Sequence, residues 1–254
     1  ACTMTICLVN PPLVSQRDDF LGSGIPYLPH GLAYLAAVLR DAGHAVTVVD
    51  MFGEAPWQLC TTSRYVVQGI SCHDASARIP SGTQVIAVYA GSIMAATLIE
   101  ELLVLLRAEH PQALRIVFEN TQAVTGFSLQ HVAEKLCACG AQYVITGEAE
   151  ARVPALITGA EADAAARIDG VWFLDNGALR GAPAASVIED LDALPWPAWD
   201  LLPLANYWRL GYAHGPLHSG RYLAQLTSRG CPFNCRFCVV PSTNRRRWRA
   251  RSAA

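Results

Sequence analysis

Along the first 160 residues, short runs of β-branched and apolar residues alternate with longer stretches whose apolar positions recur every three or four residues. The first pattern predicts strands, and the second predicts helices with one buried face. Strands are expected at residues 5–9, 45–49, 84–89, 114–118 and 142–145. Helices are expected at 31–42, near 74–78, at 95–109, at 129–139, and from Gly147-Glu148 to about 159. Leu32, Leu35, Ala36 and Leu39 give the first helix its apolar stripe, and Gly43 suits its C-terminal cap. This alternation predicts an α/β fold, a doubly wound Rossmann-like parallel five-stranded sheet with helices on both faces. Ligands in such folds bind outside the carboxyl ends of the strands. Those ends are residues 10–12, 90–92, 119–122 and 147–150.

The pattern then changes. Two apolar runs flank Asp175-Asn176-Gly177, a β-hairpin signal. Residues 188–203 are rich in proline and tryptophan and read as an extended linker. Residues 222–227 read as a strand that runs straight into a cysteine-rich loop. The expected organisation is a Rossmann-like domain over 1–160, a hairpin and linker over 161–220, and the start of an incomplete (β/α) barrel over 221–254. Residues 85–106 are the one stretch long and apolar enough to suggest a membrane span. Glu100 and Glu101 fall inside it and Gly91-Ser92 divides it, so it reads as a strand followed by a buried helix. No membrane span is expected.

Composition narrows the class. The 254 residues are 52% hydrophobic and 16% charged, as in a well-buried α/β protein. The net charge of −2 and the absence of a signal peptide predict a cytoplasmic protein that does not bind nucleic acid in general. One basic run, Arg245-Arg246-Arg247-Trp248-Arg249-Ala250-Arg251, is read as a solvated helix face or as contacts to carboxylate or phosphate. No GxGxxG follows the first strand and no GxxxxGK[ST] occurs, which removes the support for a dinucleotide or P-loop site.

The candidate chemistry lies in Arg229-Gly230-Cys231-Pro232-Phe233-Asn234-Cys235-Arg236-Phe237-Cys238. Thiolates are the preferred ligands of iron–sulfur clusters and zinc, and three within eight residues can wrap one centre. A structural zinc site needs four ligands, and no cysteine follows Cys238, while His214 and His218 lack finger spacing. Nine cysteines in a chain without a secretory signal do not read as disulfides. Cys2, Cys7, Cys60, Cys72, Cys137 and Cys139 form no second triad and are expected to be buried free thiols.

This CxxxCxxC loop resembles that of radical S-adenosylmethionine (radical SAM) enzymes. The whole chain resembles the N-terminal part of the cobalamin-binding radical SAM family. The resemblance rests on Asn10-Pro11-Pro12, on Pro29-His30-Gly31-Leu32-Ala33-Tyr34-Leu35-Ala36, on Gly43-His44-Ala45-Val46, on Gly147-Glu148-Ala149-Glu150 and on Leu191-Asp192-Ala193-Leu194-Pro195. It implies a 4Fe–4S cluster on Cys231, Cys235 and Cys238, with one iron open to the methionine end of SAM. An electron from the cluster would cleave SAM to a 5′-deoxyadenosyl radical, and the Phe237 backbone would lie near the adenine. The resemblance also implies cobalamin at the sheet's carboxyl edge, with Ser92, Thr121 and Gly147 as contacts.

The Asp-x-His-x-x-Gly motif of classical cobalamin proteins is absent, so cobalt is expected without a histidine ligand, His44 and His73 being surface or helix-cap residues. Many relatives carry Gly-Gly after the fourth strand, where this chain has Glu119-Asn120-Thr121-Gln122. The implied reaction is methyl transfer to an unactivated carbon of a small-molecule, natural-product or lipid-type substrate, fed by a reducing electron donor. Two alternatives are a radical rearrangement on the same architecture and a non-catalytic corrinoid-binding module. A stop at Ala254, before most of the implied barrel, predicts a fragment that does not turn over by itself and leaves its loop of Phe233, Phe237, Val239 and Val240 mobile.

Overall fold

In the computed structural model, which describes residues 3–18, 25–122, 126, 128–159, 162–211 and 217–253, the first strand β1 (Thr5–Asn10) is apolar on both faces and buried. Such a strand belongs in the interior of a sheet, with a neighbour on each side and helices on both faces. The remaining elements follow in order as β2 (Leu13–Gln16), α1 (His30–Asp41), β3 (Ala45–Asp50), α2 (Met51–Glu54), β4 (Leu59–Thr61), β5 (Tyr65–Gln68), α3 (Cys72–Arg78), β6 (Val85–Ala90) and α4 (Ala96–Glu109). Then come β7 (Leu114–Glu119), α5 (Ala133–Cys139), β8 (Tyr143–Ile145), α6 (Ala149–Thr158), α7 (Ala162–Arg167), β9 (Val171–Asp175) and β10 (Ala178–Gly181). The chain ends with α8 (Leu204–Arg209), β11 (Ser228–Arg229), α9 (Val240–Asn244) and β12 (Arg249–Ala250).

The main sheet has seven strands in the order β10-β9-β8-β7-β6-β1-β3. Its five parallel members, β3, β1, β6, β7 and β8, are the five expected strands to within a residue at each end. The strand order reverses between β1 and β6, the position at which open α/β sheets form a ligand crevice. One face packs Cys7, Val9, Ile86, Val88 and Val117 against α3, α4 and α5. The other packs Ile6, Leu8, Ala87, Ile116 and Ile145 against α1 and α6. The expected membrane-like stretch is β6 followed by α4, and among the described residues no helix is long and apolar enough to cross a membrane.

Three expectations need correction. The sheet has seven strands rather than five, because the 171–181 hairpin pairs antiparallel to β8 and extends the same sheet. Its turn was legible locally, but its partner was not. The strand expected at 222–227 is absent: only Ser228–Arg229 is extended and paired, with Arg249–Ala250. A strand needs a neighbour to satisfy its backbone groups, and no described strand runs beside 222–227. The helix expected at 129–139 begins as a 3-10 turn at Leu129–His131 and becomes α-helical at Ala133. A small antiparallel sheet, β2-β5-β4, joins residues 13–16 to the segment 59–68 that follows Pro56 and Trp57.

The proline-rich linker contains no strand, as expected, but it is docked on the domain. Ala198 N–H donates to the Ala33 carbonyl at 3.0 Å, and Ala198 and Leu202 are buried against α1. Farther on, the Tyr207 hydroxyl donates to Asp50 Oδ2 at 2.7 Å.

Candidate functional site

The carboxyl edge of the sheet is built by the residues after β7 and β8, and the chain's C-terminal segment lies on it. Glu119, the last residue of β7, is buried. Its Oε1 accepts the Gly147 amide at 2.6 Å and its Oε2 accepts the Leu129 amide at 3.1 Å. Burial pushes its carboxyl up to about 7, against the pull of those two amides. Asn120 Nδ2 donates to the Gly91 carbonyl at 3.2 Å, which ties β7 to the end of β6. The Thr121 carbonyl accepts from Asn244 Nδ2 and from Thr243 Oγ1, both on α9. Gln122 Oε1 accepts the Gly230 amide at 3.4 Å. All four residues that stand in place of Gly-Gly therefore brace the edge or hold the cysteine segment.

The Gly147-Glu148-Ala149-Glu150 motif supplies the other half of the contact. Arg229 is buried with both carboxylates, donating from Nη1 to Glu148 at 3.2 Å and from Nη2 to Glu150 at 2.7 Å. Its guanidinium lies over the Tyr34 ring at 4.8 Å, a cation–π contact. Arg249 reaches the same Glu148 at 2.9 Å and donates to Asn244 Oδ1 at 3.0 Å. Burial works against the charge on Arg229, and the carboxylates of Glu150 and Glu148 more than offset it, so its pKa is raised. Two arginines and two glutamates balance in a nearly dry site, where an unpaired member would be costly.

Of the alternatives for the basic run, carboxylate contact holds for two of its five arginines, Arg247 and Arg249. Arg249 meets Glu148, Arg247 meets Glu189 at 2.7 Å, and Arg251 stacks on Tyr34 and Trp196. The sequence displayed both motifs, but it gave no sign that they pair across 81 residues.

The three cysteines lie on the loop that leaves β11. All are free thiols; Cys235 is exposed and Cys231 and Cys238 are half-buried. A backbone hydrogen bond from Cys238 N to Cys235 O at 3.2 Å forms a turn around Arg236 and Phe237. Phe237 and Phe233 are 82% and 67% exposed, whereas Val240, expected to be exposed with them, is buried. The three thiols are spread along this one short loop, and among the described residues no three His, Cys, Asp or Glu side chains are already gathered into a metal-holding group.

The other thiols differ in kind. Burial pushes Cys7 up to about 11, Cys72 to about 12 and Cys137 to about 11, which keeps them protonated and poor as ligands. Cys60 and Cys139 depart from expectation, Cys60 being exposed on the small outer sheet and Cys139 half-buried at the end of α5. Cys2 and His214 lie outside the described residues.

For a 4Fe–4S cluster the donor set fits: three accessible thiols on one short loop, each in reach of solvent and none in a disulfide. For cobalamin the edge does not fit. Gly147 is buried at φ +75°, and a Cβ there would lie 2.7 Å from Ala184 and 3.0 Å from Arg152, so its lack of a side chain serves internal packing. Thr121 is buried beneath α9. Ser92 is half-buried and caps the turn at Ile93–Ala95. The three expected corrin contacts therefore form no common surface. Of the two places expected for His44, surface or helix cap, the second holds: it is buried at the end of α1, its amide donating to the Leu39 carbonyl at 3.1 Å and its Nδ1 accepting the Met4 amide at 3.2 Å, while His73 is exposed in the first turn of α3.

No family model matches the chain. It is 29% identical over 98% of its length to an uncharacterised methyltransferase of Pyrococcus horikoshii, covering 48% of that protein. It is 27% identical over 92% of its length to the anaerobic magnesium-protoporphyrin IX monomethyl ester cyclase of Synechocystis, covering 42% of it. A 62-residue stretch is 34% identical to the cytidylyl-2-hydroxyethylphosphonate methyltransferase of Streptomyces wedmorensis, over 24% of this chain and 12% of that protein. The chain spans about half the length of the first two relatives.

Proposed function

We propose that the chain carries the cluster-binding segment of a radical SAM enzyme that transfers methyl groups to a small-molecule substrate. The observation that carries this reading is the free, accessible Cys231, Cys235 and Cys238 loop standing on the carboxyl edge of a Rossmann-like sheet. The methyltransferase names of two relatives support the reaction class, and the porphyrin ester and phosphonate in the relatives' names support a small-molecule substrate.

Cys231, Cys235 and Cys238 would bind three irons as thiolates, and the exposed turn at Phe237 would offer its backbone to SAM. Bound there, the cluster supplies the single electron that cleaves SAM, drawn from a reducing partner. The Arg229 and Arg249 ion pairs hold the base of the loop against the sheet. We assign no step to cobalamin, because Thr121 and Gly147 are taken up by internal contacts. A stoichiometric complex with hydroxocobalamin would restore the corrinoid-dependent form of the reading.

A second reading, radical ring or bond rearrangement on the same architecture, is favoured by the cyclase relative, which matches over nearly the whole chain. The test common to both is anaerobic reconstitution. About four irons per chain are expected, abolished by C231A, C235A or C238A and retained by C137A. Stoichiometric zinc without iron uptake would contradict the proposal.

A further inference from the structure

Resting on that reading of the cysteine loop, we infer that Glu148 and Glu150 are positioning residues for the cluster, acting through Arg229 and Arg249. The loop from Gly230 to Trp248 is closed at its base by the pairing of β11 with β12. The two strands each contribute one buried arginine, and both arginines end on Glu148. One carboxylate therefore pins both ends of the loop that contains all three cysteines. Glu150 and the Tyr34 ring fix the remaining freedom of Arg229, whose backbone is separated from Cys231 by a single residue.

That single residue has no slack. Gly230 sits at φ +82°, its amide is held by Gln122, and a Cβ on it would collide with the Arg247 carbonyl on the opposite side of the loop. Asn244 adds a third tie, because its amide donates to Thr121 while its oxygen accepts from Arg249. Glu148 also accepts the Ile188 amide at 2.6 Å, so the docked linker is anchored on the same group. The four ionised side chains are at most 6% exposed, and their charges cancel only while all four are present. Substituting one of them does more than remove a bond: it leaves a buried charge that must move toward water, and the loop base is the part free to move.

The test compares wild type with E148Q, E150Q, R229M and the charge-neutral pair E150Q/R229M. Hydrogen exchange is measured on the unloaded protein, so this arm needs no cluster. E148Q should raise exchange by about tenfold or more across 229–249 while β1, β6 and β7 keep their protection. The pair E150Q/R229M should be less perturbed than R229M alone, since the two residues act as a unit. In the reconstituted protein, E148Q should still take up iron, but the change in the reduced cluster's EPR spectrum on adding SAM should require about tenfold more SAM. Exchange in E148Q that matches wild type across the loop, or that rises evenly over the whole sheet, would overturn the inference. A SAM titration of E148Q within about twofold of wild type would also overturn it. If wild type takes up no iron, the functional proposal fails, and the exchange result then decides only whether Glu148 anchors the base of the loop.

Discussion

Glu119 accepts one backbone amide on each carboxylate oxygen while lying buried at the end of β7, so its protonation and the integrity of the sheet edge are linked. Its pKa of about 7 in the fold lies above the ordinary value of 4.5. Between these two values the folded state holds a proton that the unfolded chain has released. The group's contribution to stability is therefore complete below about pH 4.5 and is lost as pH rises through 7, by on the order of 3 kcal/mol. Urea unfolding at pH 5 and pH 8 should show this loss in wild type and a much flatter difference in E119Q. Equal slopes in the two proteins would contradict it. The arginines provide a contrast in magnitude. R229M strands Glu150 in a dry site and leaves Glu148 with Arg249 alone, and should cost about 3–5 kcal/mol. Arg40 pairs with Asp200 at 2.6 Å, but both side chains are about half exposed or more, so R40A should cost no more than about 1 kcal/mol. Chemical denaturation of the two variants measures both values, and similar costs would mean that burial does not set the worth of these pairs.

Among the elements, those whose signal is periodic and local were legible in the sequence. The apolar stripe of α1 and the runs of β1, β3, β6, β7 and β8 place strands and helices to within a residue or two. Elements defined by a distant partner were not legible. The hairpin was read from Asn176-Gly177, but its pairing with β8 depends on an edge that sequence order does not reveal. The strand expected at 222–227 failed for the converse reason, having strand-like residues but no neighbouring strand among the described residues. The candidate site divides in the same way: the cysteine spacing was plain, while the partnership of Arg229 with Gly147-Glu148-Ala149-Glu150 joins segments 81 residues apart. Gly230 belongs to this scale, since its positive φ lets β11 turn into the cysteine loop beside Arg247. G230A should break the β11–β12 pairing and speed proteolytic cleavage within 230–248, with the far-UV spectrum unchanged. Unaltered cleavage would indicate that the turn tolerates a side chain.

At the scale of the molecule, the C-terminal segment is docked on the Rossmann-like sheet through a neutral cluster of four buried ionised side chains and the α9 contacts to Thr121. This differs from the mobile tail expected from its exposed phenylalanines. Phe233 and Phe237 are exposed, yet the base of their loop is held by Arg229, Asn244 and Arg249. The sheet edge that a corrin would use is the seat of the cysteine loop, and the bulky residues after β7 are its fastenings. What the three cysteines hold is therefore the deciding question for the function of this segment. The most direct measurement is electron–nuclear double resonance on the reduced, reconstituted protein with SAM labelled at its methionine amino nitrogen and carboxyl oxygen. Hyperfine coupling from both labels is expected, which requires one iron free of cysteine and open to SAM. A cluster with no coupling to either label would contradict it.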